Sequence, residues 1–83
     1  MPPMRLQHIY WGHNTHYATR RATTTEIEDV LLHPNSTFRR NLRNRAATHM
    51  ATGRTRSGRR LTVAFIYRSA SRTAIPINAW EDR

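Results

Sequence analysis

Between Ala22 and Pro34 the apolar positions recur at helical spacing. Ile27, Val30 and Leu31 stand at i, i+3 and i+4, which places them on one stripe of a helix. Thr23 followed three residues later by Glu26 is a capping-box pattern. Glu26, Glu28 and Asp29 fall in the first turns, where the helix dipole favours acids. His33-Pro34 stops the run, because the residue before a proline avoids the helical region. The pattern predicts a helix over residues 22–34. Upstream, residues 12–21 (GHNTHYATRR) are helix-compatible but carry a weak apolar stripe. On a helix, His13, His16, Tyr17 and Arg20 share one face, being three, four and seven residues apart. The mostly apolar stretch Leu6 to Trp11 fits either a short strand or the start of a helix.

After Pro34 the period changes from helical to alternating. Residues 36–43 and 45–55 read as strands with a turn around Asn44, and residues 60–68 (RLTVAFIYR) have the strongest β-branched and aromatic content in the chain. On that strand Val63, Phe65 and Tyr67 share a parity, with Ala64 and Ile66 on the other side. Arg56-Ser57-Gly58-Arg59 reads as a hairpin turn, with Gly58 where a positive φ is wanted. A fourth strand follows over residues 72–80. Pro76 has no N–H, so this strand is expected at an edge or with a bulge there. The predicted fold is a single α+β domain over residues 1–83: two N-terminal helices packed on a C-terminal antiparallel sheet of about four strands.

Charge changes the picture. The chain has 83 residues and a net charge of +9, with Lys+Arg 14 against Asp+Glu 5, and every one of those cations is an arginine. Such a field attracts polyanions: nucleic acid, an anionic membrane surface or an acidic protein. Arginine grips phosphate through a planar fork but does not give up its proton near neutral pH. Proton transfer is left to five histidines, to tyrosines and to a few carboxylates. With no cysteine, thiolate chemistry and disulfides are excluded, in keeping with a reducing compartment. No apolar run reaches the length of a membrane span, and the first residues lack a signal-peptide core. A soluble, cytoplasmic protein is expected.

Three segments resemble a known family. Trp11, His13 and Asn14 look like its opening W-x-H-N. RRATTTEIEDVLLHP is similar to its H-G-V-[ST]-x-E-E-[VA]-x-x-[VL]-x-x-P segment, with Thr23 and Pro34 in register. GRTRSGRRLTVAFIYR is similar to its G-R-[TS]-x-x-G-R-x-[LI]-x-V-x-[YF] hairpin. In this order, the segments resemble the BrnT-like toxins of bacterial type II toxin–antitoxin systems, a branch of the RelE-like ribonuclease fold. The resemblance implies a small basic endoribonuclease that inhibits translation until a cognate antitoxin, acidic or of ribbon-helix-helix type, covers it in a hetero-oligomer. Arg54 and Arg59 or Arg60 fall on the hairpin's motif arginines, and Arg21 stands where the family has a histidine or similar polar residue. The last strand departs from the pattern: Trp80 stands where the family has an arginine, and Glu81-Asp82 replace its basic tail.

RNA cleavage requires the 2′-OH to be activated, charge on phosphorus to be stabilised and the leaving oxygen to be protonated. Arg54, Arg59 and Arg60, near one turn, suit phosphate; Arg20 and Arg21 extend the basic surface, and Arg54 is also a catalytic candidate. The competing reading is a solvated surface with no fixed role. His13, His16 and His49 are the candidates for proton transfer, because histidine titrates near neutrality; each could instead cap or pack. His13 and His16 have the spacing of a metal pair, but neither cysteine nor a placed carboxylate joins them, so no metal and no cofactor are expected. Trp80 is either a platform for a base or a residue closing the core or a partner interface. A non-catalytic module that binds RNA, DNA or an antitoxin is the alternative to the ribonuclease, and a purely structural protein with a basic surface is the third reading.

Overall fold

The structure, a computed structural model, describes residues 6–12, 15–43 and 45–82. Strand β1 (His8–Ile9) comes first. Two short helices follow, α1 (Thr15–Ala18) and α2 (Thr24–Leu32), then β2 (Thr37–Arg40), β3 (His49–Arg54), β4 (Arg60–Arg68) and β5 (Thr73–Glu81). The five strands form one sheet in the order β1-β5-β4-β3-β2. β2 to β5 run antiparallel to their neighbours, while β1 pairs parallel to β5 through His8–Thr73 and Ile9–Ala74.

The expected architecture is corrected in two respects. The helices are not N-terminal, since β1 precedes them, and the sheet is a mixed one of five strands instead of an antiparallel one of four. The physical reason is the turn before β5. The amides of Gln7 and His8 donate to the Arg72 carbonyl, and the Tyr10 amide donates to the Ala74 carbonyl at 2.9 Å. The free edge of β5 thus takes up the apolar start of the chain.

α2 forms as its pattern demands. The Thr23 side chain accepts from the Glu26 amide, and the Glu26 carboxylate accepts from the Thr23 amide, at 3.1 and 3.0 Å. Ile27, Val30 and Leu31 are buried, and the chain turns extended at His33. The helix expected over residues 12–21 is only one turn, Thr15–Ala18. Its threonines bond back to the backbone, Thr15 Oγ1 to the Gly12 carbonyl and Thr19 Oγ1 to the Thr15 carbonyl. Local bonds of this kind compete with helix propagation. Arg20 lies beyond α1 and so shares no helical face with His16 and Tyr17, and His13 lies outside the described residues.

The helices cover one face of the sheet. Ala51, Leu61, Val63, Phe65, Ala74 and Ala79 meet Ile27, Val30 and Leu31 there in a single core. At about 0.8 kcal/mol for each buried methylene, this contact is what holds the small helical layer in place. Gly53 leaves room for Ser36, since an added Cβ would collide with the Ser36 side chain; Ser36 is buried and donates to the Val30 carbonyl at 2.6 Å. Gly58 has φ of 89° in the β3–β4 turn, as its position predicted. The proline strain in β5 is relieved by a bulge. Phe65 pairs with Pro76 and Ala64 with Asn78, leaving Ile77 without a partner. Beyond Ala74, β1 offers no further pairing, so the missing N–H of Pro76 costs no ladder bond on that side.

Candidate nucleic-acid interface

The sheet has two chemically different ends. One is the end at the β3–β4 turn, called here the hairpin end. There, Arg59 joins four parts of the chain. Its Nε donates to Glu81 at 3.1 Å, its Nη1 to both Glu26 oxygens at 3.2 Å, and its Nη2 to the Arg21 carbonyl at 2.7 Å. Every nitrogen of this guanidinium is therefore engaged. Arg60 pairs with Asp82 at 3.0 Å, and Arg56 with Asp29 at 3.5 Å. Arg54 donates from Nη1 to the Gly58 carbonyl at 2.9 Å. The remaining acid, Glu28, accepts from the Trp11 indole at 3.1 Å. The acidic residues are thus all occupied on α2 or beside the hairpin. The Glu26 carboxyl is held below its ordinary value, first by the Thr23 amide and then by Arg59, against the opposing effect of burial. Arg59 is held above its own ordinary value by Glu26 and then Glu81.

At the opposite end the balance is reversed. Arg40 is the last residue of β2 and pairs directly with His49, the first of β3. The β2–β3 loop adds exposed Arg43 and Arg45, and a shallow pocket is lined by Arg40, Arg43, Arg45, Asn41 and Thr48. Arg68 ends β4 and Arg72 lies in the next turn, held at φ of 52°. Among the described residues no acid lies at this end, and none of these arginines makes an ion pair.

The same end carries an aromatic cluster. The His49 ring stacks on Phe65 with centroids 5.9 Å apart and meets Tyr67 edge-on at 5.5 Å. Phe38 meets Phe65 edge-on from the other side at 6.1 Å. His49 Nδ1 is 2.9 Å from Thr48 Oγ1, which also accepts from the Tyr67 amide. Burial, and then the charge of Arg40, hold His49 below the ordinary imidazole value, so its ring is neutral at pH 7.

The sequence candidates are therefore scattered. Arg54, Arg59 and Arg60 do converge, but on carboxylates and carbonyls within the chain. Arg20 and Arg21 are exposed between α1 and α2, on the hairpin side through the Arg21 carbonyl. His16 is exposed on α1, edge-on to Tyr17 at 5.7 Å, with no acid beside it. Trp80 is half-buried and pairs across the strands with Thr62 on the face away from the helices. Arg39 shares that face and donates to Thr52, which is in turn bonded to Thr62. Of the proton-transfer candidates, His49 has an arginine and a tyrosine as neighbours. Arg40, Arg43, Arg45 and Tyr67 join His49 as candidates here and were not singled out in the sequence as candidate site residues. The signal was present in the run of four arginines across residues 39–45 with no acid among them.

Among the described residues, no three His, Cys, Asp or Glu side chains converge as a metal site, and no helix is long and apolar enough to cross a membrane. Comparison with known protein families, with curated proteins and with solved structures finds no match to the chain.

Proposed function

We propose that this protein binds and cleaves RNA as a toxin of the RelE/BrnT kind, acting in the cytoplasm and neutralised by an antitoxin. The observation that carries this reading is the segregation of charge. The acids are consumed on α2 and at the hairpin end, so the excess positive charge is expressed at the β2–β3 end, on side chains that make no ion pair among the described residues. Exposed guanidinium groups beside the half-buried rings of His49 and Tyr67 suit a phosphodiester backbone carrying bases. An acidic or amphipathic antitoxin, the expected partner, would satisfy the same arginines and so compete with RNA for them. The resemblance of the α2 and hairpin segments to BrnT-like toxins supports the same class.

The alternative of a non-catalytic binder is favoured by one feature, Trp80. It sits half-buried opposite Thr62, where the resemblance calls for an arginine. Expression of the chain alone in a bacterium separates the two. The toxin reading predicts arrested growth and fragmentation of cellular RNA, both relieved by co-expressing the neighbouring small reading frame. Normal growth with intact RNA at high soluble expression contradicts it.

A further inference from the structure

We propose that His49, Tyr67 and Arg40 form the RNA-cleaving centre of this protein, with His49 as the base that activates the attacking 2′-hydroxyl. The proposal rests on the ribonuclease reading above and assigns its chemistry to the β2–β3 end instead of to the hairpin.

Geometry brings the three groups together from separate strands. Arg40 and His49 are direct cross-strand partners at the end of the β2–β3 ladder. Tyr67 approaches His49 from β4, its ring centroid 5.5 Å away. The His49 ring is positioned from two sides: it lies flat on fully buried Phe65, and its Nδ1 is fixed by Thr48. In the tautomer whose Nδ1–H donates to Thr48, Nε2 carries the free lone pair of a base. The neutral ring is the favoured form at pH 7, because burial and Arg40 both disfavour the imidazolium. All three residues lie beside the loop that carries Arg43 and Arg45, which make no ion pair among the described residues. A purely structural role accounts for the stacking on Phe65. It gives no reason to place a cation directly opposite a half-buried imidazole, since that contact disfavours the charged ring.

The step balances within these groups. His49 Nε2 takes the 2′-OH proton, and the 2′-oxygen forms a bond to the adjacent phosphorus. Arg40 stabilises the negative charge that builds on the phosphoryl oxygens. The P–O5′ bond breaks, and the departing 5′-oxygen takes the Tyr67 hydroxyl proton. The histidinium then returns its proton to the tyrosinate. The products are a 2′,3′-cyclic phosphate and a 5′-hydroxyl, with no co-reactant consumed.

The test uses the full chain and an end-labelled single-stranded RNA, with the 2′-O-methyl version of the same sequence as an uncleavable binding probe. His49→Phe keeps an aromatic ring on Phe65 and removes the base. The expected result is a cleavage rate lower by about 10²–10⁴-fold, with unchanged affinity for the 2′-O-methyl probe and an unchanged melting temperature. Tyr67→Phe should slow cleavage in the same direction, with the parental products ending in a cyclic phosphate. Should the phenylalanine variant misfold, His49→Gln is read in the same way. Cleavage by a folded His49 variant at the parental rate overturns the proposal and leaves the ribonuclease reading standing. A parental protein that binds RNA and never cuts it overturns both. Loss of probe affinity equal to the loss of rate also overturns the proposal, because it reduces His49 to a binding contact.

Discussion

The hairpin end and the β2–β3 end of the sheet are built from the same residue type and put it to opposite use. At the hairpin, Arg56, Arg59 and Arg60 face Asp29, Glu26, Glu81 and Asp82, and Arg59 ties α2 to β5. At the other end, Arg40, Arg43 and Arg45 are exposed, with no acid near them among the described residues, beside a histidine whose charged form is disfavoured. Like charges crowded on so small a protein repel one another, and that cost persists only where something offsets it. Carboxylates within the chain offset it at the hairpin. At the other end the offset must come from outside, which makes the unneutralised end the better candidate for a polyanion. A dense arginine motif marks a binding site only after its internal partners have been counted.

The largest effect should come from removing the floor of the β2–β3 end. Phe65 is fully buried beneath His49 and touches Phe38 and His49 with its ring. Phe65→Ala should cost about 3–5 kcal/mol in denaturant unfolding. It should also abolish RNA cleavage at temperatures where the variant remains folded, since it removes the surface on which His49 is positioned. A variant that lost stability but cleaved normally would detach the aromatic cluster from function.

A smaller effect separates the two ends by pH. Glu26 has a folded pKa below its ordinary 4.5, so its contribution is present above that value and fades as pH falls through the folded one. His49 is also held below its ordinary 6.5. The unfolded chain then binds the proton more readily, so stability is present above 6.5 and declines as pH falls towards the folded value. Acid should therefore weaken the β2–β3 end first and the hairpin end second. In stability curves measured against pH, His49→Phe should remove the upper decline and Glu26→Gln should shrink the lower one. Identical curves for both variants and the parent would show that neither group titrates as the structure implies.

The local features of the fold were legible in the sequence. Thr23 and Glu26 fix the start of α2, Gly58 takes the left-handed conformation, and Pro76 brings its bulge, because each is set by chemistry within a few residues. β1 was not legible. Two residues pair there, and the pairing depends on the Arg72 carbonyl, far away in sequence. α1 was overread because helix-compatible residues were counted while Thr15 and Thr19 were bonding back to the backbone. The site divided along the same line. The arginines of the hairpin were visible as a cluster, but their partners were not: Glu26 lies 33 residues from Arg59 and Glu81 lies 22 residues from it. His49 could be named from the sequence as a titrating group. Its neighbours Arg40 and Tyr67 depend on the registers of β2 with β3 and of β3 with β4, which no local pattern specifies.

The central claim, that polyanions are held at the β2–β3 end, is tested most directly by the salt dependence of RNA affinity in two triple variants. One carries Arg40→Ala, Arg43→Ala and Arg45→Ala; the other carries Arg54→Ala, Arg56→Ala and Arg60→Ala. Binding of a 2′-O-methyl oligonucleotide is followed by fluorescence anisotropy over a range of salt concentrations, on samples whose folding is checked by circular dichroism. The account predicts that the first variant lowers the slope of log K against log salt by about 2, the value for three lost single-strand phosphate contacts. The second should leave the slope near that of the parent while lowering the melting temperature. A slope lost in the hairpin variant and kept in the β2–β3 variant would contradict the account.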